Sequence, residues 1–177
     1  ESSCRQELIR SLDYELFHAL AEKENMAFLA IGRSKADGCD GGINALLKDI
    51  IRQIAGNFDM VVIDAEPGIE QINRRVMEMV THLLLVSDTS LKARSIAETI
   101  NRVAQEKCRV DASGLVFNKI QDQSEFDLVC GKMSLPVWGY LPEDQIIRDF
   151  DREGRSFFDL PVNGISNRIN RVIRDCF

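Results

Sequence analysis

Asp64, Glu66, Gly68 and Glu70 place three carboxylates and a glycine within seven consecutive positions. They directly follow the apolar run Met60, Val61, Val62 and Ile63. A short continuous apolar run bounded by turn signals predicts a strand buried on both faces. In an open α/β sheet, ligands gather outside the carboxyl ends of such strands. A carboxylate at that position, followed by a glycine turn, can orient a magnesium ion against phosphate oxygens. The same residues can also do no more than end a strand and cap the next helix. The pattern by itself leaves both readings open.

Two more apolar runs end in the same way. Residues 82–86 are followed by Ser87 and Asp88, and residues 113–117 by Asn118 and Lys119. A parallel sheet would gather all three polar ends on one edge, although they lie far apart in the chain. Strands that turn into solvent also end in polar residues, so no single end decides the matter.

The elements that would position these residues follow from periodicity. Leu8, Ile9, Leu12, Leu16 and Leu20 share one helical face over residues 6–23. Residues 26–31 predict a first strand, and residues 33–42 a polar loop with Cys39. Ile43, Leu46, Leu47, Ile50, Ile51 and Ile54 form a helical stripe that Gly56 and Asn57 stop. After the 60–63 strand, Ile69, Ile72, Val76, Met79 and Val80 form a second stripe. Residues 82–86 predict a fully buried strand. Thr89 or Ser90 can cap the helix carrying Ile96, Ala97, Ile100, Val103 and Ala104. The strand at 113–117, a helix over about 122–132, a strand around Trp138 and helices near 143–150 and 165–173 complete the series. Alternating strands and helices predict an α/β fold: a mostly parallel sheet with helices on both faces, five strands in all, in a single domain over residues 1–177.

Composition narrows the function. The 177 residues suffice for a full core, and a net charge of −6 without a basic stripe argues against nucleic acid as partner. The five cysteines are scattered, odd in number and lack a C-x-x-C pair, which fits a reducing, cytoplasmic setting. No run has the features of a membrane span or a signal peptide. The chain starts at Glu1 rather than Met and enters a helical pattern at once, so a piece of a longer protein is expected.

Four segments carry a resemblance. Residues 64–70 resemble a D-x-E-A-G-x-E motif, residues 82–88 the strand and polar end that follow it, residues 116–119 an adenine-reading strand end, and residues 141–144 with 151–155 a last loop and helix start. From about Leu16 to Leu160 the chain thus resembles the P-loop ATPases that support nickel insertion into carbon monoxide dehydrogenase. These belong to the group containing MinD/ParA proteins and the nitrogenase iron protein. The resemblance implies ATP or ADP with Mg²⁺ as ligand. Asp64 would hold Mg²⁺ through water, Gly68 would offer its backbone N–H near the γ-phosphate, and Glu66 and Glu70 would lie on a switch segment. Asn118, followed by Lys119, would present its amide to the adenine edge. The loop from Pro142 to Asp144 would close over the base. A homodimer and a metalloenzyme client are the partners implied.

The sequence departs from that family in two places. The phosphate-binding loop G-x-x-x-x-G-K-S/T is absent; Gly131-Lys132 is followed by Met133 and does not replace it. The chain therefore resembles the C-terminal two-thirds of such a protein. ATPase activity is expected only when an N-terminal phosphate loop completes it. The family's C-x-C metal motif reads Cys39-Asp40-Gly41 here. Two subunits would then supply two thiolates, too few for an all-protein tetrahedral nickel or zinc site. Cys39 is the one metal-ligand candidate, against an unpaired loop cysteine. Pro67 replaces the family's alanine and would stiffen the switch.

Other functions compete. A non-catalytic scaffold or protein-interaction module would explain the missing lysine and second cysteine. A phosphoacceptor receiver domain needs an acidic pair after its first strand, where Gly32-Arg33 stand, and a dinucleotide-binding dehydrogenase needs G-x-G-x-x-G opening a helix, which is absent.

Overall fold

A computed structural model describes residues 21–23, 25–30, 48, 51–52, 55–65, 79–162 and 164–176. They fall in two compact units, Glu1–Ile43 and Asn44–Phe177.

In the first unit, β1 (Ala21–Lys23) pairs antiparallel with β2 (Met26–Phe28), Lys23 opposite Met26. Two expectations are corrected here. Residues 21–23 are strand rather than the end of a helix. The run from Met26 is the second strand of a hairpin rather than the first strand of a parallel sheet, because only two residues separate it from β1 and a parallel pair needs a crossover of a dozen or more. Residues 6–20 lie outside the described residues.

In the second unit, residues 48, 51, 52 and 55 are helical and Gly56 and Asn57 form a turn, as the apolar stripe and its glycine stop require. The unit is α/β, the class expected from the alternating pattern. Its parallel sheet has the order β3 (Met79–Ser87), β4 (Arg109–Ile120), β5 (Val137–Pro142). Between β3 and β4 runs α1 (Leu91–Lys107), and between β4 and β5 runs α2 (Gln123–Cys130). After β5 come α3 (Gln145–Glu153), a 3₁₀ turn (Phe157–Asp159) and α4 (Gly164–Cys176).

Leu115, Phe117 and Ile120 of β4 are wholly buried, with Leu85 of β3, Ala97 of α1, Val129 of α2 and Leu135 around them. Gly114, Leu115, Val116 and Phe117 are buried in succession, so β4 is covered on both faces, as an uninterrupted apolar run requires. On the second face α4 packs against β5, where Val172 approaches Gly139.

Two predicted strands differ. β3 is longer than 82–86, and it is buried on one face only: Leu85 and Ser87 point inward while Leu84 and Val86 are half or more exposed. The second-face helix α4 covers β5, two strands away. Residues 60–63 were expected as a buried strand, but they form no regular element, and Val62 is 84% exposed. An apolar run becomes a strand only when neighbours take up its backbone groups, and among the described residues no strand pairs with it. The helix expected to end at Val80 gives way to strand from Met79; residues 66–78 lie outside the described residues.

Candidate functional site

Because β3, β4 and β5 are parallel, their carboxyl ends share one edge. The register places Ser87 beside Phe117 and Phe117 beside Tyr140, and further on Ile120 beside Pro142. Beyond that row lie Asp88, Asn118 with Lys119, and Glu143 with Asp144. Of the three polar ends expected on one edge, Ser87 with Asp88 and Asn118 with Lys119 do meet there; Asp64 does not end a strand, Glu66 lies outside the described residues, and the third end on this edge is that of β5.

Each end is built by local chemistry. At the end of β3, the Ser87 hydroxyl donates to the Asp88 carbonyl at 2.8 Å. The Asp88 carboxylate accepts the Ser90 N–H at 2.8 Å, and Ser90 caps α1 by accepting from the Ala93 N–H at 3.2 Å. Hydrogen bonds from Ser90 hold the Asp88 carboxyl below its ordinary range, and the positive charge of Lys119 acts in the same direction. Of the two capping candidates, Ser90 is the one used.

At the end of β4, Asn118 is partly buried and Lys119 exposed. Asn118 Oδ1 accepts the Lys119 N–H at 3.0 Å. Lys119 has φ of 60°, the only positive value at a non-glycine residue among the described ones. An amide donates through its nitrogen and offers two acceptor lone pairs, and among the described residues only the oxygen is engaged. A free amide N–H beside a second oxygen lone pair is the donor and acceptor set that complements the N7 and 6-amino groups of adenine.

After β5, the Glu143 N–H donates to the Ile120 carbonyl at 3.1 Å, which ties this loop to the end of β4. The Glu143 carboxylate pairs with Arg148. Asp144 caps α3: its Oδ1 accepts from the N–H groups of Ile146 at 2.8 Å and Ile147 at 3.2 Å. Pro142 is tolerated because β5 is at the margin of the sheet among the described strands, where a missing donor leaves no gap in a ladder. Asp151, Arg152 and Glu153 close α3 and Gly154 caps it in the left-handed region, so this segment ends a helix instead of starting one.

The other candidates stand differently. Asp64 is exposed and lies in the irregular stretch 58–65, not at the end of a buried strand, for the reason given for residues 60–63. Glu66, Gly68 and Cys39 lie outside the described residues. No group of three or more metal-ligating side chains occurs among the described residues. No described helix is long and apolar enough to cross a membrane. Sequence reasoning left Asp88 and the turn at Lys119 without a role. The spacing Asp88-x-Ser90 was a signal for the first; nothing in residue type announced the second.

A parallel sheet whose polar carboxyl ends meet on one edge is the arrangement that α/β nucleotide-binding proteins use. Similar proteins agree. An uncharacterized ATP-binding protein of Methanocaldococcus jannaschii is 30% identical over 158 residues, covering 86% of this chain and 62% of its own length. A second ATP-binding protein of that organism is 26% identical over 127 residues, 68% of this chain and 49% of its own. The septum site-determining protein MinD of Bacillus subtilis is 21% identical over 135 residues, 72% of this chain and 50% of its own. The chain thus spans about half to a little over three-fifths of the length of these relatives. No family model matches it. The resemblance read from the sequence is supported at the level of ATP-binding, MinD-like proteins; none of these relatives is named for nickel or carbon monoxide dehydrogenase.

Proposed function

We propose that this chain is the base-binding part of an ATP-dependent switch protein of the MinD/ParA kind. The observation that carries the reading is the Asn118 amide, held beside Lys119 on the edge where three parallel strands end. Similarity to proteins named for ATP binding supports it. Asn118 would hold the base, with the loop from Pro142 to Asp144 beside it. The phosphate end does not fit this sequence, which lacks the glycine-rich loop and its lysine. Hydrolysis, Mg²⁺ bound through Asp64, dimer closure and the maturation of a metalloenzyme client belong to this proposal on the strength of the resemblance alone.

The test is calorimetric titration of the intact protein with MgADP, alongside Asn118→Ala. Loss of the amide is expected to weaken binding roughly tenfold, about 1.4 kcal/mol. Equal affinity in both proteins would remove Asn118 from the site.

A second reading has its own observation. Met60, Val61, Val62, Ile63, Leu84 and Val86 are all exposed apolar residues of one unit. Exposed apolar side chains in such number suit a protein-interaction module where they gather in one patch. Binding of neither MgADP nor MgATP would favour it.

A further inference from the structure

We infer that Lys119 is a positioning residue for the Asn118 amide, and that it acts through its left-handed backbone rather than through its ammonium group. This rests on the base-site reading above. Between the pairs Phe117–Tyr140 and Ile120–Pro142, three steps along β4 are matched by only two along β5. One residue of β4 is therefore extra, as in a β-bulge. Bulges re-aim side chains and are over-represented beside active sites. The extra residue falls at Asn118 or Lys119, where φ turns positive.

The turn has a direct consequence for the amide. A bulge leaves a backbone N–H without its ladder partner, and here the Lys119 N–H is donated to Asn118 Oδ1. That bond fixes the side chain by its oxygen and leaves the nitrogen as donor. The amide is then oriented before any base arrives, which lowers the ordering cost of binding. The lysine side chain is exposed, with Asp88 of the neighbouring strand end as its electrostatic partner. No described contact carries its charge to the amide. Left-handed geometry is strained for a residue with a Cβ, least so for asparagine, and absent as a problem for glycine. β-branched residues resist it most.

The experiment compares Lys119→Gly, Lys119→Asn and Lys119→Val in the intact protein. MgADP and MgIDP are titrated into each, and urea unfolding is followed in parallel. IDP carries an oxygen where ADP carries the 6-amino group that the second lone pair of Asn118 Oδ1 would accept, so the ratio of the two affinities reads that contact of the amide. The Gly and Asn variants, which ease the turn and remove the charge, are expected to keep the wild-type ratio within twofold. The Val variant is expected to lose at least tenfold in MgADP affinity, its ratio falling toward one while MgIDP affinity holds. A ratio lost equally in the Gly and Asn variants would overturn the assignment in favour of the ammonium, whether or not the Val variant folds. An unchanged ratio in a folded Val variant would overturn it as well. Wild-type protein that binds neither nucleotide would overturn the base-site reading, and this inference with it.

Discussion

Gly114 of β4 lies directly beneath the indole of Trp138, so closely that a Cβ at position 114 would overlap the ring. The contact arises from a register shift: Leu115 pairs with Val137 and Val116 with Gly139, so Trp138 is the extra residue on β5. A bulged tryptophan needs room on the adjacent strand, and only glycine leaves it. Gly114→Ala should therefore destabilise the fold by about 1–3 kcal/mol, the usual cost of overpacking a filled core. Urea unfolding would show it as a lower midpoint with unchanged slope. A midpoint equal to wild type would mean that the indole moves aside freely.

Glu98 of α1 links two distant parts of the chain. Its Oε1 accepts both the N–H of Ser134 at 3.1 Å and the hydroxyl at 2.7 Å, just ahead of β5. These bonds hold the Glu98 carboxyl below its ordinary range, the Ser134 hydroxyl contributing most. A carboxyl whose folded pKa is depressed contributes stability above its unfolded pKa, about 4.3, and loses it as pH falls through the lower folded value. Ser134→Ala should accordingly cost up to about 1 kcal/mol at pH 7, kept small because the carboxylate is solvated. The difference from wild type should shrink as pH falls below about 4. A pH series of urea midpoints checks this; a gap that persists into acid would assign the loss to packing.

What could be read from the residues alone depended on whether each signal was local. Ser90 as a cap, the buried run of β4 and the stop at Gly56 all follow from neighbouring residue types, and they are found in place. The α/β class followed from the alternation of such local signals. The stretch 60–63 was misleading because apolar residues predict a strand only if partners exist, and partners are not a local property. β3 was read as buried on both faces for the same reason, since nothing in its own residues says that α4 lies over β5. At the site, Asn118 was legible as an amide at a strand end. The bulge that aims it was not, because it comes from a mismatch between β4 and β5 rather than from either strand.

Gly154 ends α3 with φ of 63°, and its N–H donates to the Asp151 carbonyl at 3.1 Å. The N–H of Arg155 returns to the Phe150 carbonyl at 2.9 Å, and the Arg155 guanidinium lies 3.8 Å from the Phe150 ring centre. A Cβ at position 154 would meet no atom within 4 Å, so any penalty is one of backbone conformation alone. Gly154→Ala should cost about 1 kcal/mol, and Gly154→Asn less, because asparagine tolerates the left-handed region. Thermal unfolding of the two variants would rank them. Equal melting temperatures would show that the helix can end without this turn.

Asp144 was expected among the residues that meet a nucleotide, yet its Oδ1 is engaged by two N–H groups at the start of α3. A residue can cap a helix and touch a ligand, but the two roles respond differently to substitution. Asparagine keeps an oxygen able to cap while losing the charge, whereas alanine loses both. If capping is the whole role, Asp144→Ala should lower stability by about 1 kcal/mol and Asp144→Asn by a few tenths, with MgADP affinity within twofold of wild type in both. If the carboxylate also meets the nucleotide, the Asn variant should bind several-fold more weakly at nearly unchanged stability. Unfolding and calorimetry on the same two variants separate these outcomes. The geometry favours the first, because the oxygen that points at α3 already holds two donors and the Arg148–Glu143 pair anchors the same turn.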